Sequence, residues 1–153
     1  MMRKKYVSWA LLALITSTAA ACAQTPAGAI RIKGDHFVYP QQQAEASIKL
    51  GPSLDAWNVS CDKRHALVWG RAWDQIKPGD APYSNLYLLD LDKGAIVAHV
   101  TVSSGPYETG FSQDQTLVRI DDRILRQADG TEVDPPPAFH PETCAPFAGK
   151  SSE

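Results

Sequence analysis

Apolar residues in this chain recur mostly at every second position or in short runs, and Gly, Pro and Asp bound these runs. Both patterns are typical of β-strands, because successive side chains of a strand point to opposite faces. No stretch carries a sustained 3.6-residue pattern, so we predict an all-β chain of antiparallel strands. The predicted strands are residues 29–33, 46–50, 56–60, 66–73, 85–91, 96–102, 116–120, 123–127 and 131–133.

Two segments of the chain resemble each other. Val59-Ser60-Cys61-Asp62 and Phe111-Ser112-Gln113-Asp114 each place an apolar residue, Ser, any residue and Asp before a strand, and 52 positions separate Ser60 from Ser112. Ser and Asp beside a turn hydrogen-bond to local backbone amides and fix the hairpin. A repeat of this length is typical of β-propeller blades. Two blades cannot close a ring, so we predict two WD40-like blades whose sheets stay open.

The first 23 residues differ from the rest in composition. Three basic residues at positions 3–5 precede an almost wholly apolar run over 6–15, and small residues then lead to Ala21-Cys22-Ala23. This order is that of a cleavable export signal. A membrane-spanning helix needs about 20 apolar residues, and Thr16 interrupts the run too early. The sequence therefore predicts a signal peptide over residues 1–23, no membrane span and a periplasmic location.

The sequence around Cys22 is compatible with two different cleavage sites. Cleavage after Ala23 releases a soluble protein, whereas Ala19-Ala20-Ala21-Cys22 resembles a lipobox that would make Cys22 a lipid-anchored N-terminus. In either form we predict that residues 24–153 are a single β domain with a proline-rich C-terminal tail. A chain of this length is sufficient for one hydrophobic core.

The charge of the exported part excludes one class of function. The signal peptide takes three of the 15 basic residues, which leaves 12 against 17 acidic residues, a formal charge of −5. Nucleic-acid binding needs clustered Lys and Arg to neutralise phosphates, and no such cluster remains in residues 24–153. An acidic exported protein is better suited to a basic protein partner.

Two cysteines remain after the signal peptide, Cys61 and Cys144. In an oxidising compartment a disulfide between them is the expected state, and it would tie the proline-rich tail to the domain. An alternative joins both cysteines with His65 and His140 in a tetrahedral zinc site. A further alternative uses a Cys–His pair as a nucleophile, which a disulfide would prevent.

Two segments between predicted strands are long and mix Gly, Pro, Ser and Tyr, a composition suited to projecting recognition loops. We call residues 74–84 the first loop and residues 103–110 the second loop. The alternative is that both are solvated connections without a role. The predicted partner-binding residues lie in or beside these loops and are Trp73, Lys77, Asp80, Tyr83, Ser84, Ser103, Ser104, Tyr107 and Glu108.

Enzyme signatures are missing from the sequence. The chain has no Gly-x-Ser-x-Gly elbow, no phosphate-binding loop, no dinucleotide fingerprint and no His-Glu-x-x-His motif. Its acidic residues form no recognisable glycosidase pair. We therefore predict a protein that is not an enzyme and that uses no cofactor and no metal.

The export signal, the size of the exported part, the blade-like units and the loop rich in Ser and Gly together resemble a known family. Over about residues 57–131 the pattern is similar to that of the periplasmic immunity proteins that protect bacteria with type VI secretion from peptidoglycan-degrading effectors, particularly the amidase-inhibiting kind. In that family a loop between the inner strands of the first blade enters the active-site cleft of the effector. The loop of this chain is longer and carries prolines in place of a Gly-Ser run.

The resemblance implies that the segment from Trp73 to Ser84 would plug the cleft of a cognate toxic effector, with Tyr83 or Ser84 nearest the returning strand. The target could equally be a muramidase or another cell-wall hydrolase. Two alternatives remain. One is a non-catalytic envelope-binding module or small lipoprotein, and the other is a small hydrolase or metal protein built on Cys61, His65, His140 and Cys144.

Overall fold

The computed structural model describes residues 29–42, 44–73, 75–144 and 147–150. The predicted signal peptide with Cys22 lies outside these residues, and so does Asp74 of the first loop. None of the described segments forms a helix with the length and apolar character needed to cross a membrane. The described strands are β1 (Arg31–Lys33), β2 (His36–Gln41), β3 (Ala44–Lys49), β4 (Ala56–Val59), β5 (His65–Arg71), β6 (Tyr83–Asp90), β7 (Ala95–Ser103), β8 (Thr109–Phe111), β9 (Leu117–Ile120), β10 (Arg123–Arg126) and β11 (Phe147–Lys150).

The strands form three antiparallel sheets that follow one another along the chain. The first sheet contains β1, β2 and β3, and the third contains β8, β9 and β10. The second has the order β11-β4-β5-β6-β7, so that the last strand of the chain joins the edge beside β4. Within each sheet, strands that follow one another in sequence pair with each other, as in propeller blades. The first loop joins β5 to β6, and shorter turns join the other pairs. The prediction of an all-β fold with open antiparallel sheets is confirmed.

The two blade-like units predicted from the sequence correspond to the second and third sheets. The first sheet was predicted only through its outer strands, because the central strand β2 has three consecutive apolar residues followed by Pro40 instead of an alternating pattern. The short strands β8 and β11 were also not predicted. The predicted strand at 131–133 is reduced to one isolated bridge between Leu125 and Glu132.

The second sheet is the middle layer of the molecule. Along β6, Leu86 and Leu88 pack into a core shared with the third sheet, whereas Tyr87 and Leu89 pack into a core shared with the first sheet. Neighbouring side chains thus enter opposite cores, as the pleat of a strand requires. This burial on both faces explains why the sequence of β6 is a nearly continuous apolar run.

The first copy of the internal repeat is a turn between β4 and β5. The Ser60 hydroxyl donates to Asp62 Oδ1 at 2.7 Å and accepts a hydrogen bond from His65 N at 3.0 Å. Lys63 N donates to Ser60 O at 2.9 Å, and Lys63 has a φ of 61°. Ser60 is fully buried, so its hydroxyl replaces water as the partner of these groups.

The second copy, between β8 and β9, has the same local geometry. The Ser112 hydroxyl donates to Asp114 Oδ1 at 2.6 Å and accepts from Leu117 N at 2.8 Å. Gln115 N donates to Ser112 O at 2.9 Å, and Gln115 has a φ of 59°. The apolar-Ser-x-Asp pattern therefore builds the same turn at the start of two successive sheets.

The proline-rich tail crosses from the third sheet to the second. Its residue His140 accepts a hydrogen bond from Gln113 N through its backbone oxygen, at 2.9 Å. A disulfide then joins Cys144 to Cys61, with their Cα atoms 6.0 Å apart. Beyond it, β11 pairs with β4. The predicted disulfide is confirmed, and it ties the tail to the middle sheet.

Candidate partner-binding surface

The first and second loops leave the second sheet at the same end. Tyr83 at the start of β6 pairs with Ser103 at the end of β7, and Ser104 N donates to Pro82 O at 3.0 Å. Because β6 and β7 are antiparallel, the start of one strand lies beside the end of the other. The structure therefore joins two loops that the sequence predicted separately. We call residues 72–73, 75–82 and 104–108 together the two-loop surface.

A tight turn shapes the tip of the first loop. Asp80 N donates to Lys77 O at 3.0 Å, and Lys77 N donates to Asp80 Oδ2 at 3.2 Å. Pro78 and Gly79 occupy the two central positions, and Gly79 has a φ of 95°. These positions and this angle match a type II turn, in which Pro presets the first central residue and Gly accepts the positive φ of the second. The prolines of this loop therefore contribute to a defined backbone shape.

Trp73 lies at the base of the first loop and is 60% exposed. The Arg71 guanidinium lies 5.1 Å from the centroid of its ring, within the range of a cation–π interaction. Arg71 N in turn donates to Asp55 Oδ2 at 2.8 Å, which holds the end of β5. The indole is thus restrained by a neighbour while most of its surface remains in solvent.

Asp121, in the turn between β9 and β10, holds the second loop. Its Oδ1 accepts hydrogen bonds from Tyr107 N at 2.8 Å and from Glu108 N at 2.9 Å, and its own N–H donates to Glu108 O at 2.8 Å. Hydrogen bonds to an ionised carboxylate are among the stronger ones in proteins. The Tyr107 side chain is nevertheless 82% exposed. In the sequence, Asp121 lies between the predicted strands 116–120 and 123–127, and the loop that it holds is not adjacent to it in the chain.

An ion pair draws Glu108 back toward the third sheet. Its carboxylate contacts the Arg119 guanidinium, which lies 4.8 Å from the centroid of the Phe139 ring. Phe139 belongs to the proline-rich tail, so the tail supports the second loop from behind. Glu108 is exposed but already has an internal partner, which makes it a weaker candidate for partner contact than Tyr107.

Most of the predicted partner-binding residues are accessible. Tyr83 is half-buried, and its hydroxyl donates to Gln75 Oε1 at 3.3 Å. Ser84 is the exception, because it lies inside β6 between Arg71 and Val102 and is only 1% exposed. Its hydroxyl cannot reach a partner, so the prediction for Ser84 was wrong. The exposed residues are Trp73, Lys77, Asp80, Ser103, Ser104, Tyr107 and Glu108.

The disulfide removes both thiols from the alternative zinc site and from the alternative nucleophile. Glu142 lies beside it, and both of its carboxylate oxygens lie 3.0 Å from Cys61 N. His65, the predicted histidine ligand nearest Cys61 in sequence, is half-buried and its Nδ1 has no hydrogen-bond partner. Burial lowers the pKa of His65, and the carboxylates of Asp90 and Asp62 oppose this shift only in part.

The carboxylates with lowered pKa serve turns and ion pairs of the framework. The Ser112 hydroxyl, followed by that of Thr116, lowers the pKa of Asp114 in the second repeat turn. Burial acts to raise the pKa of Asp90, but hydrogen bonds from the Lys93 ammonium and N–H outweigh it, and the pKa is lowered. Neither carboxylate lies on the two-loop surface.

The chain matches no protein-family model, no curated protein and no solved structure. A function for the chain is therefore to be inferred from the chemistry of the two-loop surface. It combines two exposed aromatic rings with charged side chains, hydroxyls and restrained backbone. Aromatic residues surrounded by polar groups are typical of surfaces that bind other proteins.

Proposed function

We propose that this protein is a periplasmic immunity protein, which binds a secreted cell-wall hydrolase and blocks its active site. The observation that carries the proposal is the pairing of the two loops through the Ser104 N to Pro82 O bond. This pairing places Trp73 and Tyr107, the two most exposed large apolar residues among those described, on loops at one end of the middle sheet. The class of partner comes from the family resemblance.

The internal bonds of both loops favour such a role. Each loop is held in shape before any partner binds. The turn from Lys77 to Asp80 holds the first loop. Two hydrogen bonds to the Asp121 carboxylate and one from its N–H hold the second. A loop that is ordered in advance loses little conformational entropy on binding, so more of the contact energy contributes to affinity. Insertion of such a loop into a cleft would occlude the active site without any chemistry by the inhibitor.

The charge of the exported chain supports the same partner class. Its formal charge of −5 would speed association with a basic protein, since complementary charges steer the encounter of two proteins. Enzymes that act on an anionic cell wall benefit from a basic surface. The proposed complex would therefore form faster at low ionic strength than at high ionic strength.

The test is co-expression with the product of the neighbouring gene, with both proteins directed to the periplasm. Three forms of this protein are compared: wild type, the double variant Trp73→Ala/Tyr107→Ala, and the control Ile96→Ala. Ile96 is an exposed large apolar residue on β7, at 45% exposure, away from the two loops. We expect wild type and the control to suppress lysis and the double variant to fail. A neighbour that is not toxic, or toxicity unaffected by wild type, rejects the proposal.

A further inference from the structure

The three sheets formed by the described residues have six edge strands, and five of the six are protected. Unpaired backbone groups at an edge invite pairing with another strand, so proteins protect edges with charges, short strands or covering segments. β1, β8 and β11 have only three or four residues. The tail covers the end of β8 through a bridge between Ser112 and Pro141. Charged side chains stand on β3 and β10, namely Glu45, Lys49, Arg123 and Arg126.

β7 is the unprotected edge. It is the longest of the described strands, with nine residues, and its sequence AIVAHVTVS contains no Lys, Arg, Asp, Glu or Pro. It is the last strand of the second sheet, and within the described part of the chain no strand pairs with its outer side. Most of its residues are β-branched, which favours further strand pairing. The pairing of β7 with β6 has one register shift, between Leu88 and Leu89 of β6, and this shift affects only the first half of β7.

In the second half of β7, the backbone groups of every second residue face solvent. Ser104 N donates to Pro82 O, so residue 104 bonds toward β6. In an antiparallel pair, residues that bond to the neighbouring strand alternate with residues that do not. Residues 102, 100 and 98 therefore bond to β6, and residues 103, 101 and 99 direct their N–H and C=O groups outward. The side chains of His99, Thr101 and Ser103 are exposed as well. This segment is a complete, uncharged template for an additional strand.

We propose that a second copy of this chain pairs with β7 in antiparallel fashion, about a two-fold axis at Thr101. The uncharged edge suits an uncharged strand, and β7 is the only long uncharged strand that the described chain presents at an edge. The axis places Thr101 opposite Thr101 and His99 opposite Ser103, pairs without like charges and with favourable Thr–Thr contact. Such an isologous contact closes both open edges at once.

This interface is distinct from the two-loop surface. The pairing uses the outer edge of β7 from His99 to Ser103, which is the first residue of the second loop, whereas the two-loop surface begins only at Ser104. The dimer would join two five-stranded sheets into one continuous sheet. Each dimer would then carry two copies of the two-loop surface. Dimer formation therefore does not depend on whether the partner is a cell-wall hydrolase.

The experiment measures molar mass over a range of concentrations by light scattering and sedimentation, with protein purified from the periplasm. Thr101→Pro removes an outward N–H without breaking the bonds to β6, since proline is tolerated where the N–H faces solvent. Thr101→Lys places two ammonium groups at the axis. The control is Ser47→Pro on the edge strand β3. Leu50 N donates to Asp35 O, so by the same alternation Ile48 bonds to β2 and the N–H of Ser47 faces solvent.

We expect wild type and Ser47→Pro to have twice the chain mass, and both Thr101 variants to be monomers with a wild-type thermal midpoint. If Thr101→Pro fails to fold, Thr101→Lys decides. Slow hydrogen exchange of the His99 and Ser103 amides should accompany the dimer and be lost in Thr101→Lys. A monomeric wild type at every soluble concentration overturns the proposal, and so does a dimer that survives Thr101→Lys. If the His99 and Ser103 amides were protected in a monomer, another segment of the same chain would cover the β7 edge, and the proposal would be overturned.

Discussion

The Tyr107 N–H donates to Asp121 Oδ1 at 2.8 Å and thereby links the second loop to a turn of the third sheet. A second bond, from Glu108 N at 2.9 Å, shares the same oxygen. The most exposed aromatic side chain among the described residues thus stands on backbone that is held from the neighbouring sheet. The third sheet supports the proposed binding loop in addition to closing one core.

Asp121→Ala should release the second loop. Alanine cannot accept the two N–H bonds, and residue 121 has a φ of 55°, which alanine adopts at a cost. We expect a loss of about 2 kcal/mol in the free energy of unfolding and faster exchange of the Tyr107 and Glu108 amides. Urea unfolding and hydrogen exchange measure both, with Asp122→Ala as the neighbouring control. Unchanged exchange at the two amides would show that something else holds the loop.

Trp73→Ala and Tyr107→Ala should each weaken binding of the cognate hydrolase. Truncation of an aromatic anchor at an interface costs about 2–4 kcal/mol, which corresponds to a loss of roughly 30-fold to 1,000-fold in affinity. Both side chains are mainly in solvent, so the free energy of unfolding should change by less than about 0.5 kcal/mol. Calorimetric titration measures the affinity, with Ile96→Ala as the control. Equal affinities for all four proteins would place the interface elsewhere.

Loss of the Cys61–Cys144 disulfide should destabilise the protein strongly. The bond closes a span of 83 residues, and the chain-entropy model gives about 4 kcal/mol for such a loop. The double variant Cys61→Ser/Cys144→Ser should show this loss in urea unfolding. Reduced wild type should match the variant, and a reducing agent should leave the variant unaffected. A difference of less than about 1 kcal/mol would mean that the bonds of the tail suffice without the disulfide.

Ser60→Ala and Ser112→Ala should have similar effects, because the two hydroxyls make equivalent bonds. Each variant leaves a partly buried N–H without its acceptor, which costs about 1 kcal/mol or more. The two turns lie in different sheets, so the losses should add in the double variant. Ser47→Ala, at an exposed position of β3, is the matched control. A large loss from one serine and none from the other would contradict the equivalence of the turns.

His65 should make stability depend on pH just below neutrality. Burial lowers its pKa in the folded state below the ordinary value of 6.5, so the unfolded chain binds more protons in that window. Stability should therefore be highest above the unfolded pKa and fall as the pH drops from 7.5 toward 5. His65→Gln should reduce this fall in thermal unfolding. An identical pH profile for both proteins would exclude His65 as its source.

Much of the fold could be predicted because it depends on local pattern. The alternation of apolar and polar residues predicted β4 to β7, β9 and β10 within a few residues of their observed bounds. The Ser-x-Asp motif predicted two equivalent turns, since Ser60 and Ser112 bond to groups within five residues. β2 was missed because its burial produces a run of apolar residues, which has no period.

The site was only partly predictable, because it depends on contacts between distant residues. Trp73 and Tyr107 were predicted at a surface from loop composition alone. Asp121 was not, since nothing in a hairpin turn indicates which other loop its carboxylate will meet. Ser84 was placed in a loop although β6 begins one residue earlier and buries it. Because β6 is covered by a core on each face, a residue inside it is buried whichever way its side chain points.

The sequence by itself determined the all-β class, the repeated turn, the pairing of Cys61 with Cys144 and the two loops. The strands, turns and loops follow from residue type and short-range spacing, and the disulfide follows because two cysteines remain after the predicted signal peptide. Only the tertiary structure decided that β1 to β3 form a further sheet over the middle one, that Ser104 joins the first loop at Pro82, and that β7 is an open edge among the described strands. Those features arise from packing between strands that are far apart in the chain. A local sequence pattern does not determine which sheets pack against each other.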